Sequence, residues 1–167
     1  MAAGAANRQS RQVNGRFELD ELDKQILRIL LNDGSVPYTD IARELKVSGG
    51  TIHVRMRKMQ EAGVVQGTRL LVNHSKLGYD ITAFLGIYLE KGSAYRSVMQ
   101  ELCTIPGIVE IHYTTGVYNI FCKVVCQDTR SLREVLNEKI QPIDGVQRTE
   151  TFISLDETVQ REIQLPD

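Results

Sequence analysis

The chain has 167 residues, with 20 Lys+Arg against 21 Asp+Glu, 42% hydrophobic side chains and three cysteines. That is the length of one domain of about 150 residues or of two small ones. The average composition excludes a globally disordered chain, a collagen-like repeat and a disulfide scaffold. No apolar run reaches the roughly 18–20 residues of a membrane span, and the opening MAAGAANRQSRQVNGR lacks the apolar centre of a secretory signal. With an odd number of cysteines set in apolar runs, this predicts a cytoplasmic protein with reduced thiols.

The net charge of −1 conceals an asymmetry. Residues 18–78 carry nine basic and eight acidic side chains, whereas residues 79–167 carry eight basic against thirteen acidic. From Lys46 to Lys76, six basic residues meet one acid, Glu61. A short basic island in an otherwise acidic chain points to a local anionic partner.

In chain order, residues 1–17 lack hydrophobic periodicity and read as an arm without fixed structure. Asp20 is placed to cap a first helix whose apolar stripe is Leu22, Ile26, Ile29 and Leu30, ended by Asn32-Asp33-Gly34. Thr39 is expected to cap a short second helix, Asp40–Lys46, with Ile41, Ala42 and Leu45 facing inward. Val47 makes the turn, Ser48 caps a third helix, and Gly63 stops it. In the third helix Ile52, Met56 and Met59 fall within about 60° of one another at 100° per residue, so they form the buried stripe. Thr51, Val54, Arg55 and Lys58 face away from it, flanked by His53 and Arg57. A short helix, a tight turn and a Ser-capped helix with a basic face is the helix-turn-helix arrangement. Residues 63–70 read as two short strand pieces with a glycine bend, a wing carrying Arg69.

The acidic half contains an internal repeat. A strand at Thr82–Glu90 precedes a helix with stripe Tyr95, Val98, Leu102 and Ile105. A second strand at Asn119–Cys126 precedes a helix with Leu132, Val135, Leu136 and Ile140. Residues 98–101 (VMQE) overlay 135–138 (VLNE) and residues 105–108 (IPGI) overlay 143–146 (IDGV), so the offset grows by one residue along the helix. Each helix runs into another strand, Val109–Thr114 and Val146–Ser154. Two such units give β-α-β-β-α-β, a ferredoxin-like sheet with helices on one face. The expected fold class is therefore α+β. Its parts are an arm (1–17), a winged helix-turn-helix domain (18–72), a linker (73–80), a ferredoxin-like domain (81–160) and a tail (161–167).

Taken together, LDELDKQILRILLNDG, YTDIARELKVSGGTIHVRMRKMQEAGVVQG, VNHSKLGYD, HYTTGVYNIFCKV and TETFISL resemble the Lrp/AsnC, or feast/famine, transcription regulators over residues 19 to about 160. The resemblance implies a winged DNA-binding domain tied to an effector and oligomerisation domain. It further implies homodimers formed through the second domain and assembled into tetramers or octamers. The partner of the first domain is then double-stranded DNA, and the DNA-facing set is Ser48, Gly49, Gly50, Thr51, His53, Val54, Arg55, Arg57, Lys58 and Arg69. Gly49 and Gly50 let backbone approach a phosphate at a positive helix end, Val54 suits a thymine methyl, and the cations supply donors.

By the same resemblance, a free amino acid binds at the loop holding Thr114, Thr115, Gly116, Tyr118 and Asn119, against Thr149, Glu150 and Thr151 of a neighbouring dimer. A hairpin glycine permits positive φ, and Thr hydroxyls donate or accept. Asn119 stands where the family often carries Asp, which favours a small neutral effector, asparagine first. No metal or cofactor is expected: Cys122 and Cys126 are four apart in a strand, about 13 Å at 3.3 Å per residue, too far for one zinc. Two other readings share this architecture: a sirohaem decarboxylase-like enzyme, in which His112 is the usable side chain, and a ligand-independent DNA-binding architectural protein. The basic face of the third helix argues against the enzyme.

Overall fold

The computed structural model describes residues 12–13 and 16–165. They divide into two compact units, one made of the described residues up to 71 together with 160–165, the other of residues 72–159.

In the first unit, helix α1 (Glu21–Asn32) opens on a capping box. The Asp20 side chain accepts from the Asp23 N–H at 3.0 Å, and the Asp23 side chain accepts from the Asp20 N–H at 3.2 Å. Helix α2 (Tyr38–Glu44) starts before the point its sequence predicts. Thr39 lies inside the first turn, and Pro37 occupies the cap with φ −61°, its carbonyl accepting from Asp40 and Ile41. Proline fixes that φ and gives up no useful donor at a helix start, so it outcompetes a side-chain cap further on. The turn into α3 (Gly49–Glu61) is made by Lys46, the described non-glycine residue with positive φ (54°), with the Val47 N–H returning to the Ala42 carbonyl. Ser48 caps α3 as expected, accepting from the Thr51 N–H at 3.1 Å, and Gly63 follows its end at φ 72°.

Ile26, Ile41, Ile52 and Met59 are fully buried between these helices, with Met56 beside them. Of the arm expected at 1–17, residues 1–11, 14 and 15 lie outside the described residues. Gln12–Val13 (β1) and Arg16–Phe17 (β2) instead pair antiparallel, and Phe17 packs on the core. Leu165, in the segment expected as a tail, packs on the same core. The wing has no strands. Val64 and Val65 both donate to the Met59 carbonyl, so the chain folds over the helix end, and no ladder is formed among residues 63–72.

The second unit is an antiparallel sheet of β3 (Ile81–Leu89), β4 (Ile108–Tyr113), β5 (Ile120–Cys126) and β6 (Val146–Ile153), in the order β4-β5-β3-β6. Helices α4 (Tyr95–Leu102) and α5 (Thr129–Glu134) cover one face. There Ala83, Leu85, Ile87, Ile120, Cys122 and Val124 meet Val98, Leu102, Leu132 and Ile140. Strand alternation sends Phe84, Gly86, Tyr88, Phe121, Lys123, Glu150 and Phe152 to the other face. Helix α5 continues as a π-turn over Val135–Ile140, where the Gln141 N–H reaches back five residues to the Leu136 carbonyl at 2.9 Å. This is where the odd residue between the two repeats is accommodated.

Candidate DNA-binding face and ligand loop

On α3, Gly50, His53, Val54, Arg57 and Lys58 are exposed, Val54 at 45%, and Thr51 is half-buried. The Ser48 and Thr51 hydroxyls lie 2.8 Å apart. A Cβ at Gly49 meets nothing within 4 Å and one at Gly50 only the Ser48 Oγ at 3.8 Å, so internal packing does not require either glycine. His53 packs edge-on to Tyr38 with ring centroids 4.9 Å apart, and Arg57 lies 3.7 Å from Glu61. Arg69 is exposed beyond the helix end. Arg55 departs from the expectation. It does not point away from the fold but turns to α1, where its Nη1 donates to Asp20 and, at 3.1 Å, to Asp23. The Asp20 hydrogen bond leads in raising the Arg55 pKa.

The ligand set separates into two groups. Loop residues 114–119 join β4 to β5, closed by the Thr114 N–H donating to the Asn119 carbonyl at 3.1 Å and by the Thr114 hydroxyl donating to the Tyr118 carbonyl. Thr115, Gly116 and Val117 are exposed, and among the described residues nothing accepts from the N–H groups of 115–118. Gly116 is not in the left-handed region, and a Cβ there meets nothing within 4 Å. The expectation that this glycine supplies positive φ is therefore corrected. The loop is long enough to close through Thr114 and Asn119 without a mirror-image turn. The Asn119 Oδ1 is also committed, accepting the Leu89 N–H at 2.9 Å.

Thr149 and Thr151 pair with Ile87 and Leu85 and so lie on the helix side of β6, while Glu150 lies on the opposite face. One chain does not bring the three together. Glu150 accepts from the Tyr118 hydroxyl (2.8 Å), the Tyr88 hydroxyl (3.0 Å) and Arg148 (2.7 Å), and Arg148 stacks on the Tyr88 ring at 3.6 Å. Those bonds, led by that from Tyr118, hold the Glu150 carboxyl below its ordinary range. Sequence reasoning missed Tyr88, Arg148 and Gly86. A glycine inside an otherwise apolar strand was the available signal for Gly86. His112 is exposed, 3.9 Å from Glu110, and no group of three His, Cys, Asp or Glu side chains suited to a metal ion occurs among the described residues. No described helix is long and apolar enough to cross a membrane.

A capped, basic recognition helix joined to a ferredoxin-like unit defines a DNA-binding regulator with a ligand-binding domain. The pattern of a winged helix-turn-helix DNA-binding domain matches residues 19–66, and that of the Lrp/AsnC ligand binding domain matches residues 82–163. The chain is 43% identical over 145 residues to Regulatory protein AsnC of Haemophilus influenzae, covering 87% of this chain and 97% of that protein. It is 42% identical over 147 residues to Regulatory protein AsnC of Escherichia coli, covering 88% and 97%. The solved structure of E. coli AsnC superposes with a TM-score of 0.83 at 40% identity, covering 89% of this chain and 99% of that one. A Neisseria meningitidis transcriptional regulator solved in complex with L-Met shares the fold, with a TM-score of 0.82 at 18% identity over 89% of this chain and 97% of that one. The chain belongs to the Lrp/AsnC family of transcriptional regulators.

Proposed function

We propose that this regulator binds DNA through Gly50, Thr51, Val54, Arg57 and Lys58, with Ser48, Gly49, His53 and Arg69 at the edges. Its effector is asparagine, seated on the Thr114–Asn119 loop. The observation that supports the ligand site is the run of backbone N–H groups at 115–118 that donate to nothing among the described residues, three of them on exposed residues, which suits a carboxylate. Glu150 already faces Arg148 and two tyrosine hydroxyls, so it offers no spare charge for a cationic side chain. That favours a neutral amino acid, and the name of the AsnC relatives favours asparagine.

Because Thr149 and Thr151 lie on the side of β6 away from Glu150, they reach the ligand from a neighbouring dimer rather than from the same chain. Dimers form through the sheet face that the helices leave open, where Phe84 and Phe121 stack at 6.0 Å and Phe152 is 48% exposed. Further assembly gives tetramers or octamers in the cytoplasm, and ligand binding between dimers changes which paired DNA sites are occupied together. Calorimetric titration of the twenty amino acids into the full-length protein tests this, with light scattering for assembly. Asparagine is expected to bind most tightly and to shift the oligomer. Binding by none of the twenty, or tighter binding of lysine or arginine, rejects the assignment.

A further inference from the structure

Two aspartates at the start of α1 present four carboxylate oxygens, and all four are engaged. Asp20 Oδ1 accepts the Asp23 N–H and Asp23 Oδ2 accepts the Asp20 N–H, which completes the capping box. The remaining oxygens, Asp20 Oδ2 and Asp23 Oδ1, both accept from Nη1 of Arg55, which is 35 and 32 residues away in sequence. The Asp23 side chain is only 7% exposed, that of Asp20 53% and that of Arg55 30%. For Arg55 to reach a phosphate it must leave Asp23 charged, buried and unpaired, a costly state. The same guanidinium sits on α3 one residue after Val54 and three before Lys58. The buried stripe Ile52, Met56 and Met59 holds α3 in the core by non-directional contacts, whereas charge-assisted hydrogen bonds are directional.

We propose that Arg55 is a positioning residue rather than a DNA contact: Asp20, Asp23 and Arg55 form a clamp that sets how α3 presents Thr51 and Val54 to the major groove. Asp20 and Asp23 thereby become determinants of DNA affinity although they carry the wrong charge to touch DNA. This gives the test its discriminating sign. If the acids act only as charges near a polyanion, removing one raises affinity for any duplex. If they position α3, removing one lowers affinity for the preferred sequence and leaves non-specific binding where it was.

The experiment uses the full-length protein. One probe is a duplex enriched from a random pool by the wild-type chain, and the other is an unselected duplex of equal length. Affinities are measured across a salt series. Asp20→Asn keeps an N-cap side chain, because Asn caps as well as Asp, and removes one arm of the clamp. Arg55→Met removes both arms and keeps much of the stem's packing. The expected result is a loss of about fivefold to tenfold on the selected duplex for each variant. The unselected duplex and the salt slope stay unchanged, and the double variant is no worse than Arg55→Met alone. The proposal is overturned if Arg55→Met weakens both duplexes and lowers the salt slope by about 0.9 for each phosphate no longer neutralised. It is equally overturned if Asp20→Asn raises affinity or changes nothing. Should Arg55→Met not fold, as read from its melting curve, Asp20→Asn decides the matter alone.

Discussion

Tyr118 lies flat against Gly86, so closely that a methyl group at position 86 would overlap the ring at Cγ, Cδ1 and Cε1. The same ring packs near Tyr88, Phe121 and Phe152, and its hydroxyl reaches Glu150. Gly86→Ala must therefore push Tyr118 off the sheet and break that hydrogen bond. Overpacking of this kind costs about 1–3 kcal/mol. Gly86→Ala is expected to lower the melting temperature and, because Tyr118 belongs to the proposed ligand loop, to weaken amino-acid binding. Adding Tyr118→Ala should relieve the clash and recover stability but not binding. A single variant that melts like the wild type would show that the ring is free to move.

Gly116 behaves oppositely. With open space around it and no positive φ, Gly116→Ala should change stability by no more than about 0.5 kcal/mol. Chemical denaturation checks this, and a destabilisation clearly beyond that range would show that the loop is more constrained than its geometry.

Lys58 is exposed on α3 and makes no ion pair among the described residues. Lys58→Ala should flatten the salt dependence of DNA binding by about 0.9 if its ammonium neutralises one phosphate. The effect should be equal on preferred and unrelated duplexes, as expected of a group that touches only the DNA backbone. A sequence-dependent loss would place Lys58 on a base edge instead.

The three thiols should divide by burial. Cys103 is exposed, whereas burial pushes the Cys122 thiol up to about 12 and raises that of Cys126. The thiolate is the reactive species. Native protein treated with an alkylating reagent at neutral pH should gain one label per chain, and denatured protein three, as counted by mass spectrometry. Rapid native labelling at Cys122 would contradict the buried core.

Acid stability follows from Asp20 and Glu150. Burial pushes the Asp20 carboxyl up, but the bonds from Arg55 and the Asp23 N–H outweigh it and leave the carboxyl below its ordinary range. A carboxyl depressed in the folded state contributes stability that is complete above its unfolded value of about 3.9–4.3. That contribution is lost as pH falls through the lower folded value. Melting temperature should therefore drop below about pH 4, and Asp20→Asn and Glu150→Gln should each blunt the drop. An acid limb that neither variant alters would assign the loss to other carboxylates.

Most of the fold was readable because its signals were local. Asp20 and Ser48 announce helices by capping chemistry, Gly63 ends one, and alternating or 3.6-spaced hydrophobics place the sheet strands and the helices packed on them. What differed was set by geometry that the hydrophobic pattern alone does not report. Arg55 looks outward on a helical wheel because the wheel ignores α1, 32 residues earlier. Glu150 looks like a companion to Thr149 and Thr151 until strand alternation puts it on the other face. The wing glycines promised two short strand pieces about a bend, but Val64 and Val65 spend their N–H groups on the end of α3.

The π-turn of α5 reverses the usual expectation about where a chain absorbs a change in length. Surplus residues normally go into surface loops. Here Val135 and Ile140 on one side and Ile143 on the other are fixed by the core, so the surplus residue widens the helix and no loop shifts. Deleting Asn137 should then restore an ordinary α-helical turn while the flanking strands keep their register. The two halves of the unit would become equal in length, and tolerance of deletion would reside inside a packed helix.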